Sequence, residues 1–297
     1  MPVKDWISAL RLRTLPLALS SILMGSMLAA AHGYFSWPVF GWAVLTTILL
    51  QILSNLANDY GDTHHGADSD QRVGPQRAVQ SGAITPQAMQ RAIALFAILS
   101  LLAGLLLIST AFGWGSRYFY LFLGLGLISI AAAYTYTAGA HPYGYAGLGD
   151  LAVLLFFGLL GVGGSYFLFS RHFDWPVLAP AVAVGALATG VLNVNNMRDA
   201  LSDRQAGKRT IPVRWGHRAA VLYHVVLLLT AIVAAGSYLW HSGAGAAILW
   251  WLPAVVLLII NGVRVARTSP EQLDPYLRQL VMATLVFVLL FGVALLV

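Results

Sequence analysis

The chain has 297 residues, 59% of them hydrophobic and 9% charged, where soluble globular domains carry roughly 25% charge. That balance excludes a water-soluble domain and points to a polytopic membrane protein. There is no cysteine, so disulfide and thiolate chemistry are excluded, and the net charge of +6 follows more simply from membrane topology than from nucleic-acid binding.

The opening, MPVKDWISALRLRTLPLALSS, carries Asp5 beside Lys4, Arg11 and Arg13. It runs into an apolar stretch with no clear cleavage site, so it does not read as a signal peptide. Pro16 reads as a helix-entry residue and Arg11 as an interfacial anchor. A span needs about 20 apolar residues. Nine are predicted, over 15–32, 38–58, 89–112, 118–138, 147–169, 176–196, 219–240, 244–263 and 278–297. Pro253 and Gly292 interrupt the last two. Short connectors at His32 to Trp37 and His241 to Gly243 predict antiparallel neighbours in a bundle. Two connectors are long, about 59–88 and 197–218, and long connectors in a compact fold are commonly functional.

Lysine and arginine are divided unequally between the two sides. The side of the N-terminus and both long connectors receives fifteen of the 17, while only Arg117 and Arg171 fall on the other. The positive-inside rule then predicts a cytoplasmic N-terminus, cytoplasmic long loops and a C-terminus outside.

The first long connector holds Asp59, Asp62, Asp68 and Asp70 in a chain otherwise nearly free of charge. Asn58 and Asp62 are four apart, so a helix places them on one face. Oxygen-only donors at this spacing suit a hard cation such as Mg²⁺, which shares phosphate oxygens rather than filling a protein cage. Arg72 and Arg77 follow, as a diphosphate site would require. A solvated polar loop would contain the same residues, but the second connector repeats the plan. There Asn195, Asp199 and Asp203 fall at i, i+4 and i+8, predicting a single helical face, and Lys208 and Arg209 come after Gly207. A salt-bridge network among Arg198, Asp199, Asp203 and Arg204 is the structural alternative; it does not require the duplication. Two facing sets of carboxylates would hold two or three Mg²⁺ ions over one diphosphate.

Between the clusters, Tyr134, Tyr136, Tyr143 and Tyr145 lie in a glycine-rich segment that ends at Asp150. Aromatic faces stabilise cations, so tyrosines beside a departing diphosphate would shelter a carbocation; an interfacial aromatic belt is the alternative. Asp150 suits a helix N-terminus as well as a substrate contact. His64 and His65 lack the carboxylate–histidine spacing of a zinc site.

At the paired clusters the chain resembles the UbiA superfamily of intramembrane prenyltransferases. Its N-x-x-x-D motif with a further Asp is matched by Asn58, Asp62 and Asp68, and its D-x-x-x-D motif by Asp199 and Asp203, with Asn195 one turn earlier. The six-residue gap from Asp62 to Asp68 is similar to the branch that prenylates 1,4-dihydroxy-2-naphthoate. So are the segments LRLRTLPLA, LQILSNLANDYGD, GPQRAVQSGAIT, HPYGYAGLGD and NVNNMRDALSDRQAGKRT.

The resemblance implies one all-α integral-membrane domain over 1–297, with nine transmembrane helices around a central cavity and cytoplasmic cap loops at about 55–88 and 193–218. It implies Mg²⁺-dependent, decarboxylating transfer from a polyprenyl diphosphate to 1,4-dihydroxy-2-naphthoate, as in menaquinone synthesis at the inner membrane. Metal roles are implied for Asn58, Asp62, Asp68, Asn195, Asp199 and Asp203, with Asp59 behind them. Diphosphate contacts are expected from Arg72, Arg77, Lys208 and Arg209, acceptor contact from Arg11, and cation shelter from Tyr134, Tyr136, Tyr143 and Tyr145, with Asp150 nearby. Another acceptor such as 4-hydroxybenzoate keeps the same fold. A CDP-alcohol phosphotransferase would pack its aspartates into one dense motif, and a cation transporter would place them near the bilayer midplane.

Overall fold

The computed structural model describes residues 3–67, 73–74 and 76–297. Two expected site residues, Asp68 and Arg72, lie outside the described residues. Among the described residues all regular structure is helical, and nine helical stretches are long and apolar enough to cross a membrane. The first, Val3–Ala31, is broken into α1 (Val3–Leu10) and α2 (Leu15–Ala31). Next come α3 (Trp37–His64), α4 (Pro86–Phe112) and α5 (Arg117–Thr135). They are followed by α6 (Gly149–Ser170), α7 (Trp175–Arg198) and the short α8 (Ala200–Gln205). The last three are α9 (Ile211–His241), α10 (Gly245–Arg267) and α11 (Asp274–Leu296).

Local sequence sets the helix starts. The Thr85 hydroxyl accepts the Ala88 N–H at 3.3 Å and Ser116 accepts that of Phe119 at 3.1 Å, each satisfying an orphan donor of a first turn. Pro38, Pro86, Pro212 and Pro275 all sit within the first two helical positions, where a missing N–H costs nothing. Pro253 likewise stands near the start of a helical stretch, Leu252–Arg267, after a turn of 3₁₀ helix, so it does not interrupt the span.

α7 is the central element. Of its most apolar window, 78% is buried, against 6% for α5. It packs against α6, α9 and α11, and small residues make that possible. A Cβ on Gly158 of α6 would lie 2.6 Å from the Ala181 carbonyl oxygen and 2.9 Å from the Gly185 Cα, so the two backbones touch there. Between membrane helices such contact replaces the hydrophobic drive available in water. The middle of α6, Leu154–Gly164, is wound as a π-helix, a wider geometry that recurs at functional sites.

The structure moves several predicted boundaries. α3 continues to His64 rather than ending near 58 because Asn58 to Asp62 are themselves helical. α9 starts at Ile211 and bends at Gly216 (φ 82°, ψ 171°), a conformation that glycine tolerates. The single helical face expected for Asn195, Asp199 and Asp203 is not formed. α7 stops at Arg198, Asp199 takes φ −97° and ψ 11°, and Asp203 belongs to α8.

Candidate active site

A cavity of about 950 Å³ opens inside the bundle, polar at one end and apolar in its depth. Its apolar part is walled by Leu107, Ile108, Phe122, Phe156, Leu160 and Leu168, and its polar lining comes from α3, the end of α7 and the loops that carry Arg77, Tyr143 and Lys208. The inner face of α3 organises that end. Asn55, Asp59 and Asp62 follow one another at helical spacing, and each side chain captures a different segment.

Asp59 accepts the backbone N–H groups of Ala78 and Val79 at 3.1 and 3.0 Å. It therefore docks the loop that carries Arg77, rather than facing an ion directly. Arg77 then reaches Asp62 at 3.4 Å. Asp62 also accepts the Tyr145 hydroxyl at 3.0 Å and lies 3.0 Å from Lys208 Nζ. Lys208 sits 3.2 Å from Asp203 and 4.8 Å from the centre of the Tyr145 ring. One ammonium thus joins the two sequence clusters, 146 residues apart by subtraction of the Lys208 and Asp62 numbers.

The electrostatics follow from that bridge. Burial, with repulsion from Asp199 and Asp62, pushes Asp203 up to about 6 even though Lys208 opposes the rise. Burial alone would lower Lys208, but Asp62 and Asp203 outweigh it and hold the ammonium above its ordinary value. Burial pushes Tyr143 up to about 12, and burial beside Asp62 raises Tyr136 and Tyr145 further. The three hydroxyls are therefore neutral donors.

The second cluster is held differently. Arg198 clasps Asp199 through Nε at 2.9 Å and Nη2 at 2.7 Å, and it donates to Asn195 Oδ1 at 2.8 Å. Its Nη1 reaches Asp274 of α11 at 2.6 Å, and Arg278 pairs with the same carboxylate at 2.6 Å. Part of the salt-bridge alternative is thus realised, around Asp199 and not around Asp203. Asn195 and Arg198 line the cavity whereas Asp199 stands behind them.

Of the remaining expected residues, Arg11, Asn58, Tyr136 and Tyr143 line the cavity. Asn58 accepts the Thr137 hydroxyl at 3.0 Å. Three expectations are displaced. Tyr134 is 38% exposed, outside the cavity wall. The Arg209 side chain is exposed, while its backbone N–H donates to the Tyr145 carbonyl at 3.0 Å. Asp150 is hydrogen-bonded to Tyr223 of α9 and does not line the cavity. In each case a residue adjacent to a motif in sequence is rotated away by the helical or turn geometry between them. Sequence reasoning also missed Gln51 and Arg278, which line the cavity. Gln51 lies a turn before Asn55 on α3 and was findable from helical spacing; Arg278 is brought in only by tertiary packing.

Among the described residues no three aspartate, glutamate or histidine side chains already form a metal cage. The donor set nevertheless fits a hard cation. Asp62 and Asp203 converge on one bridging cation, the Lys208 ammonium, and the amide oxygens of Asn58 and Asn195 stand at the same end of the cavity. All these donors are oxygen, the preference of Mg²⁺.

The model of the UbiA prenyltransferase family matches residues 18–281. The chain belongs to the UbiA prenyltransferase family. It is 44% identical to a 1,4-dihydroxy-2-naphthoate octaprenyltransferase of Haemophilus influenzae, over 99% of this chain and 96% of that protein. It is 43% identical to the protein of the same name from Escherichia coli, over 96% and 93% of the two chains. In structure it is similar to a UbiA homolog from Archaeoglobus fulgidus bound to DMAPP and Mg²⁺, with a TM-score of 0.64 and 17% identity over 99% of each chain. That last likeness carries the fold alone.

The Lys208 bridge makes a prediction that separates cation competition from simple structural pairing. Lys208→Met leaves two buried carboxylates without their shared ammonium. In chelator the variant is expected to melt lower than the parent by roughly 5 °C or more. Added Mg²⁺ should then raise its melting temperature by more than it raises the parent's, because an ion no longer competes with the side chain. Equal Mg²⁺ shifts in both proteins would show that Lys208 and the ion occupy different places.

Proposed function

We propose that this UbiA-family chain transfers a polyprenyl group from its diphosphate to 1,4-dihydroxy-2-naphthoate, with loss of CO₂, giving demethylmenaquinol for menaquinone synthesis. The single observation that carries the mechanism is the convergence of Asp62, Arg77 and Lys208 at the polar end of an apolar cavity, with Asp203 holding Lys208 from behind the wall. The acceptor follows from the two relatives at more than 40% identity over nearly the whole chain.

In this reading Asn58, Asp62, Asn195 and Asp203 hold Mg²⁺, with Asp68 as a further ligand and Asp199 acting under the hold of Arg198. Bound there, Mg²⁺ neutralises charge on the departing diphosphate. Arg77 and Lys208 bind its oxygens as preorganised cations, and Arg72 adds positive charge to the same loop. The prenyl chain lies in the apolar depth of the cavity. The allylic C–O bond breaks, its electron pair leaves with diphosphate, and Tyr136 and Tyr143 present neutral ring faces that shelter the carbocation. The electron-rich ring carbon bearing the carboxylate attacks and forms the new C–C bond. The pair from the ring–carboxylate bond then restores aromaticity as CO₂ departs, so no redox cofactor is needed. Arg11 meets the acceptor carboxylate. The positive-inside bias supports an inner-membrane enzyme whose N-terminus and active-site loops are cytoplasmic and whose C-terminus is outside.

The test is a transfer assay on purified protein with an allylic polyprenyl diphosphate and carboxyl-labelled 1,4-dihydroxy-2-naphthoate or 4-hydroxybenzoate. Expected is Mg²⁺-dependent release of labelled CO₂ from the naphthoate, abolished by chelator. Prenylated hydroxybenzoate with its carboxylate retained would overturn the acceptor while keeping the transferase.

A further inference from the structure

Arg11 adopts φ 48° and ψ 53°, one of two non-glycine residues in the left-handed region among those described. A side chain is disfavoured in that conformation, and glycine takes it freely. An arginine held there indicates that the surroundings compensate for the strain and that the side chain itself is used.

The surroundings are specific. Asn55, 3% exposed, donates through Nδ2 to the Leu10 carbonyl and to the Thr14 hydroxyl, both at 2.9 Å. Those two residues flank the left-handed turn. Gln51 donates to the same hydroxyl at 3.2 Å and to Asn55 Oδ1 at 3.3 Å. The Thr14 hydroxyl in turn donates to the Arg11 carbonyl at 3.0 Å. Every lone pair and proton of that hydroxyl is committed, two acceptances and one donation, so Arg11 is clamped from both sides to one face of α3. Arg11, Thr14, Gln51 and Asn55 all line the cavity. Asn55 precedes Asp62 by seven residues on α3, which is roughly 10 Å along the axis. The clamp therefore grips α3 about two turns deeper than the cation-bridged carboxylates, away from the place where diphosphate binds.

We propose that Thr14, Asn55 and Gln51 are positioning residues that aim the Arg11 guanidinium at the carboxylate of the aromatic acceptor, making this turn the cavity's selector for carboxylated acceptors. The inference rests on the acceptor reading above. A guanidinium matches a carboxylate with two parallel hydrogen bonds, a geometry that tolerates little rotation, so the clamp acts on acceptor binding and not on prenyl diphosphate.

The test compares Thr14→Val, Thr14→Ser, Gln51→Leu and Arg11→Gln in the transfer assay, alongside binding of 1,4-dihydroxy-2-naphthoate and of 1,4-dihydroxynaphthalene, which lacks the carboxylate. Arg11→Gln is expected to raise the KM for the naphthoate roughly thirtyfold and Thr14→Val about tenfold, the scale of a charge-assisted hydrogen bond lost or misaligned. Thr14→Ser, which keeps the hydroxyl, should stay near the parent, and Gln51→Leu should fall between. The KM for prenyl diphosphate and the affinity for the carboxylate-free ring should change less than about twofold, because neither uses the guanidinium. The double variant Thr14→Val/Arg11→Gln should be no worse than Arg11→Gln alone. If Arg11→Gln raises the acceptor KM but Thr14→Val and Gln51→Leu do not, the clamp is overturned and the acceptor contact stands. If Arg11→Gln leaves that KM unchanged while the parent prenylates the naphthoate, the proposal fails and the function survives. Should Thr14→Val not fold, Gln51→Leu decides the matter by the same split between the two KM values. A parent without activity on the naphthoate would overturn both.

Discussion

Asp62→Asn is expected to lower kcat by about a thousandfold or more, the scale seen when preorganised charge is removed from a developing anion's site. The amide keeps the shape and can still accept the Tyr145 hydroxyl, now 3.0 Å away. What it loses is the negative charge that Lys208 and Arg77 share and that the proposed Mg²⁺ would share with them. Asp203→Asn should fall comparably, since its oxygen faces the same ammonium from the other cluster at 3.2 Å. The double variant should be little worse than either single one, because residues that act as a unit are not additive in their loss. Stopped assays over long incubations would measure the residual rate, with melting curves in chelator to show that each variant is folded. Near-parental turnover in folded Asp62→Asn protein would remove the carboxylate bridge from the mechanism.

The fold was legible because its signals are long. Nine apolar runs with turn residues between them survive errors of several residues at each boundary, and nine helices long and apolar enough to cross a membrane are present among the described residues. The carboxylate clusters were legible for a different reason: charge is expensive beside a bilayer, so Asp62 and Asp203 stand out against an apolar background. What sequence spacing could not supply was direction. The break at Asp199 turns it into the grip of Arg198 and leaves Asp203 on a separate short helix. Asp59 is expected behind the metal ligands, but only the structure shows what it holds there, the Ala78 and Val79 N–H groups. The clamp on Arg11 was invisible because it joins residues about forty positions apart through one hydroxyl, and no periodicity encodes that contact. Asn55 and Gln51 looked like polar residues on the way to a motif; only the structure shows that they bind the preceding span.

Gly61→Ala is expected to lower kcat by about a hundredfold, the scale associated with a displacement of about 1 Å in a catalytic constellation. Gly61 lies between Asn58 and Asp62 on α3, and a Cβ there would stand 2.5 Å from both the carbonyl carbon and oxygen of Thr137 and 2.7 Å from its hydroxyl. Backbone atoms cannot rotate out of the way as a side-chain tip does, so the 136–145 loop must retreat or α3 must bend. Either movement spoils several contacts together. Thr137 holds Asn58 and the Ala57 carbonyl through its hydroxyl, at 3.0 and 3.2 Å, and the same loop delivers Tyr136 and Tyr143 to the cavity and Tyr145 to Asp62. The glycine is thus selected for close approach and not for backbone freedom, since it sits within regular helix. Gly124→Ala on α5, where an added Cβ meets nothing within 4 Å, is the control and should leave kcat within about twofold, as substitutions without steric consequence do. A Gly61→Ala protein with parental kcat would mean that the tyrosine loop can withdraw from α3 without cost to the reaction, and the neutral ring faces of Tyr136 and Tyr143 would then have no part in sheltering the carbocation.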